Sequence, residues 1–71
     1  MPNKQTLEAA IRLLLKDYRA DMAGAPKPAG VDAAVTAARA DGWSSADIFG
    51  EADRRFGREL IDRSSRYGAS R

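Results

Sequence analysis

Apolar residues recur along the first third of the chain at the spacing of a helix face. Over residues 4–23, Leu7, Ala10, Ile11, Leu14, Leu15, Tyr18 and Met22 share one side, while Glu8, Arg12, Lys16 and Arg19 share the other. Gly24 supplies a left-handed residue to end this helix, and Pro26 prevents its resumption. Residues 24–30, GAPKPAG, form an extended connector stiffened by two prolines. A second, shorter helix follows over 31–41, with Val31, Ala34, Val35 and Ala38 inward. Such small side chains bury little area, so this helix contributes close approach more than hydrophobic energy.

The stretch DGWSSADIF, residues 41–49, reads as a corner between helices. Gly42 suits a left-handed cap, Ser44 is placed to cap the next helix, and Asp47 three residues later completes a capping box. Trp43 before the cap and Ile48 after it have the spacing of a hydrophobic staple. The cap is worth about 1 kcal/mol.

Beyond the corner two readings stand. The chain turns at Gly57, giving helices 45–56 and 58–67, or one helix runs over 45–67. At 100° per residue Ile48, Phe49, Ala52, Phe56, Leu60 and Tyr67 keep one face, and a turn would reset that phase, so the spacing favours the continuous helix. Gly50 and Gly57 then cost about 1 kcal/mol each against alanine. Gly50, Gly57 and Ser64 recur every seven residues, with Ala46 and Ile61 nearby, and make a smooth stripe that another helix could approach. Either the first helix of the same chain or a second chain fills it. The fold expected is all-α, a small domain of three helices, or four if Gly57 breaks the last.

Composition narrows the chemistry. The 71 residues make one domain, and a domain this short buries only about 60% of its unfolded surface, so a partner or a second copy is expected to add contacts. There is no cysteine and no histidine, which removes thiol nucleophiles, cysteine/histidine zinc sites and imidazole acid–base catalysis. Asp47, Glu51 and Asp53 form an acidic cluster, but Asp47 has a capping role and Glu51 has Arg55 one turn on. Neither a phosphate loop nor a metal-ligand pattern is visible. The sequence therefore points to no enzyme, no cofactor and no small-molecule ligand. No apolar run approaches the roughly 20 residues of a membrane span, and a cytoplasmic protein is expected. Arginine-rich, alanine-rich usage suits a bacterial or phage source.

The net charge is +2 and the isoelectric point about 9.4, with the excess of arginine gathered toward the C-terminal end. The stretch ARADGWSSADIF, residues 38–49, resembles the opening of helix-turn-helix domains in resolvases and sigma-like regulators. The resemblance covers about a dozen residues, and the family pattern ends the helix after the corner about one turn before Phe56 and Gly57. It implies that GRELIDRSSRYG serves as a recognition helix, with Arg58, Arg63 and Arg66 contacting groove and phosphates. Against this, Glu51–Arg55, Arg55–Glu59, Glu59–Arg63, Arg58–Asp62 and Asp62–Arg66 are each four apart, the pattern of a solvated helix face.

Protein recognition is the remaining class. Leu13 lies off the apolar face of the first helix, close in angle to Ala9 and Ala20, and is either an ordinary exposed leucine or part of a second apolar strip. Trp43 and Tyr67 are the residue types that anchor interfaces, although the staple is the stronger expectation for Trp43. With the stripe of Gly50, Gly57, Ile61 and Ser64, these residues are the candidate interface. The expectation is a non-enzymatic regulator, an adaptor or inhibitor that binds another protein and pairs with itself as a homodimer. DNA binding is the alternative.

Overall fold

The structure is a computed structural model that describes the backbone of residues 3–69 and the side chains of residues 3–63. It is all-α. Three helices occur in order: α1 (Lys4–Met22), α2 (Val31–Ala40) and α3 (Ser45–Ala69).

Each helix end has a physical cause. Asn3, in extended conformation, caps α1 by accepting a hydrogen bond from the Gln5 N–H at 2.9 Å. Both C-termini close as Schellman motifs. At α1 the Ala25 N–H reaches the Ala20 carbonyl and the Gly24 N–H reaches that of Asp21, with Gly24 at φ 69°. At α2 the Trp43 N–H reaches the Ala38 carbonyl and the Gly42 N–H that of Arg39, with Gly42 at φ 111°. Ala23 and Asp41 are thus C-caps, and the two helices end one residue earlier than their apolar spacing suggested. Gly30 takes a left-handed conformation, φ 87°, as the N-cap of α2, a role its sequence context did not show.

The corner is a reciprocal capping box. Ser44 Oγ accepts from the Asp47 N–H at 3.0 Å, and Asp47 Oδ2 accepts from the Ser44 N–H at 3.1 Å. From there a single helix passes through Gly50 and Gly57 without a break.

The core is small. Its buried members are Ala10, Ile11 and Leu14 from α1, Val31 and Ala38 from α2, and Ile48 and Ala52 from α3. Leu7, Leu15, Tyr18, Ala34, Val35 and Trp43 pack around them. Three expectations change here. Met22 and Phe49, placed on the apolar faces by spacing, are 62% and 39% exposed. Leu13, placed outside, is half-buried against the core, and its Cδ1 lies beside Gly30. The connector folds back over Leu13, so its surroundings are set by the loop and not by its angle on α1.

Candidate functional site

The seam between α1 and α3 is held by polar groups as well as by the core. Arg55 donates from Nη1 and Nη2 to the two carboxylate oxygens of Glu8, at 3.0 and 2.7 Å, and from Nε to Glu51 at 3.0 Å. Arg19 forks onto both oxygens of Glu59 in the same way. Glu8 and Arg19, assigned to the outward face of the first helix, therefore reach across to α3. Long side chains at the edge of a helix face span to a neighbour that helical angle alone does not reveal. The guanidinium beside each carboxylate holds Glu8 and Glu59 below the usual carboxylate range.

Two further polar contacts tie the elements together. The Tyr18 hydroxyl donates to Asp53 Oδ1 at 2.8 Å, and its ring meets Phe56 at a centroid distance of 5.3 Å and an angle of 55°. Burial, then the hydrogen bond and charge of Asp53, push the Tyr18 phenol up to about 12. At the opposite end, Asp41 Oδ2 accepts from the Asn3 N–H at 2.6 Å and lies 2.7 Å from the Thr6 hydroxyl. These two bonds, the hydroxyl first, lower the Asp41 carboxyl. The Trp43 indole N–H donates to the Asn3 carbonyl at 3.0 Å. Trp43 thus joins the corner to the start of α1 and is half-buried, not displayed.

The acidic trio disperses. Asp47 caps α3, Glu51 pairs with Arg54 and Arg55, and Asp53 holds Tyr18. Among the described residues no group of three carboxylates is arranged to hold a metal ion.

The residues proposed for an interface do not form one patch. Leu13 is half-buried, Ala9 is exposed on the far flank of α1, and Ala20 is half-buried near its end. Gly50 and Gly57 have nothing within 4 Å of the space a Cβ would occupy. Gly57 is nine residues from the buried Ile48 and points about 180° away from it at 100° per residue. The first helix therefore does not fill the stripe, as had been one expectation; the stripe faces outward, with Ile61 on it 66% exposed. Ser64 and Tyr67 lie outside the residues whose side chains are described.

The arginines proposed for nucleic acid fare unevenly. Arg58 and Arg63 line an open cleft with Arg19, Arg55, Glu59 and Asp62. Arg63 approaches Glu59 at 3.8 Å, and Arg58 joins no ion pair among the described residues, so the expected Arg58–Asp62 pair is not made. Nor is the Arg55–Glu59 pair, because each partner turns to α1 instead. Arg66 lies outside the described side chains.

A shallow apolar trough runs along the other flank of the seam. Tyr18, Met22, Phe56 and Gly57 line its outer part between Asp21 and Asp53. Leu14, Val31, Val35 and Phe49 line its inner part, with Tyr18 common to both. Leu14, Asp17, Tyr18, Asp21 and Met22 follow one helical stripe on α1, of which the apolar spacing picked out only Leu14, Tyr18 and Met22, as core. Among the described residues no helix is long and apolar enough to cross a membrane. Compared with family models, curated proteins and solved structures, the chain matches none of them.

Proposed function

We propose that this protein is a non-enzymatic regulator, an adaptor or inhibitor that acts by binding another protein and that pairs with itself through α3. The observation that carries the reading is apolar surface beyond what the small core uses. Met22, Phe49 and Ile61 are exposed, while among the described residues the largest fully buried side chains are Ile11 and Ile48. Exposed apolar groups of this kind, alongside helical glycines with open space over them, suit helix-on-helix association.

Affinity capture from bacterial lysate, with and without nuclease, tests it. A stoichiometric protein should be retained after nuclease by the wild type and lost from Met22→Asp or Ile61→Asp. Retention of the same partner by both variants, or recovery of nucleic acid alone, would overturn the reading.

A helix-turn-helix DNA regulator is the second reading, favoured by the cleft in which Arg58 and Arg63 stand beside Arg19 and Arg55. In that case affinity for duplex falls steeply with salt, because neutralised phosphates release counterions, and Arg58→Glu with Arg63→Glu abolishes it. The carboxylates bound to Arg19 and Arg55 leave fewer donors for phosphate, which is why this reading comes second.

A further inference from the structure

Charge is unevenly distributed around the seam. Asp21 and Asp53 line the outer part of the trough and Asp17 and Asp32, with Lys27, its inner part toward α2, while Arg19 and Arg63 stand beyond Met22 and Phe56 at its outer end. Lys27 is already paired with Asp32 at 3.2 Å, and Asp17 and Asp21 enter no ion pair among the described residues. On the other flank of the same seam, Arg19, Arg55, Arg58 and Arg63 outnumber Glu59 and Asp62 in the polar cleft. A chain of net charge +2 thus presents an apolar trough rimmed with negative charge. The floor is Tyr18 on Phe56, Met22 lies 62% exposed at one edge, and Gly57 leaves the opposite wall without a side chain.

We propose that this trough is the docking site for a basic amphipathic segment of a partner protein, one whose apolar side chains sit on Tyr18, Met22 and Phe56 while its lysines or arginines meet Asp17, Asp21 and Asp53. This rests on the protein-binding reading above and adds the partner's chemistry to it. Burial of an apolar strip supplies affinity, and the carboxylate rim selects sign and speeds encounter. An acidic segment or a nucleic acid would meet Asp17, Asp21 and Asp53 there and be repelled. Burial first, and then Asp53 and Asp17, raise the Tyr18 phenol in this surround.

The test uses the full chain and a synthetic leucine/lysine amphipathic peptide, with a leucine/glutamate twin carrying leucine at the same positions. Binding is followed by NMR at the Met22 methyl and the Tyr18 ring. The leucine/lysine peptide should shift both resonances saturably, and the glutamate twin should leave them unmoved. Asp17→Asn with Asp21→Asn removes carboxylates that make no internal ion pair. It should leave the circular dichroism spectrum unchanged and weaken the peptide by about tenfold at low salt, about 1.4 kcal/mol. Met22→Ser should weaken it at all salt concentrations.

Equal binding of both peptides, or shifts confined to residues outside the trough, would overturn the proposal. So would dilution alone moving the Met22 and Tyr18 resonances, because a second copy would then cover the trough. Lysate capture separates the two levels of inference. A protein that the Asp17→Asn, Asp21→Asn variant holds as tightly as the wild type at low salt overturns the trough while protein binding stands, and no captured protein at all overturns both.

Discussion

Gly57 sits inside α3 with ordinary helical backbone, and among the described residues nothing comes within 4 Å of the space its Cβ would fill. Within the isolated fold, then, glycine here has a cost and no structural return. Gly57→Ala should raise stability by about 1 kcal/mol and the melting temperature by roughly 4–8 °C, measured by thermal unfolding. Gly24→Ala should do the opposite, because φ 69° is a left-handed conformation that costs a residue with a Cβ about 1–2 kcal/mol. If both substitutions moved stability the same way, this account of the glycines would fail. Tyr18 gives a second check at this scale. A phenol raised from 10.0 to about 12 keeps its proton more tightly in the folded chain than in the unfolded one. Its contribution to stability is whole below pH 10 and is lost as pH climbs through 12. Ultraviolet titration should find the Tyr18 phenolate forming near pH 12, and Asp53→Asn should bring it part of the way back, since burial, the larger cause, remains.

At the scale of elements, the contacts of α1 with α3 and with the end of α2 depend on carboxylates that are lowered in the fold. Glu8, Glu59 and Asp41 each have a folded value below the unfolded one. Such groups add stability above their unfolded range, and that stability drains away as pH falls through the folded values. The urea midpoint should therefore hold from neutral pH to about pH 5 and decline below it. Glu8→Gln with Glu59→Gln should flatten the acid limb, and an unchanged slope would show that these pairs do not couple to folding. The fork between Arg55 and Glu8 is partly exposed, so its coupling in a double-mutant cycle should be about 0.5 kcal/mol and shrink with salt. Helix ends and phase were legible in the sequence because they depend on neighbours within one turn: Gly24, Gly42 and the Ser44–Asp47 box are local chemistry. The Asn3–Asp41–Thr6 cluster and the Tyr18–Asp53 bond were not, because each joins residues at least 35 positions apart. Surface-looking Glu8 and Arg19 were hidden for the same reason, and Leu13 because a loop, not a helix, covers it.

For the whole molecule the question is how so little core sustains three helices. Among the described residues seven are buried, and three of them are alanines. The fold extends 48 × 27 × 16 Å, its long dimension drawn out by a 25-residue α3 that outruns the 19-residue α1. Apolar area is spread along that helix instead of being gathered around a centre, and this leaves Ile61 66% exposed. A second copy packing along Gly50, Gly57 and Ile61 would bury that surface, and because only the paired state gains, stability would then depend on protein concentration. The melting temperature should rise over a hundredfold increase in concentration, about 2.7 kcal/mol of linkage when the dimer is saturated to the same degree. Sedimentation over the same range should pass from monomer to dimer, and Ile61→Asp should hold the chain monomeric with its helicity intact. A wild type that sediments as a monomer and melts at one temperature throughout would remove self-pairing.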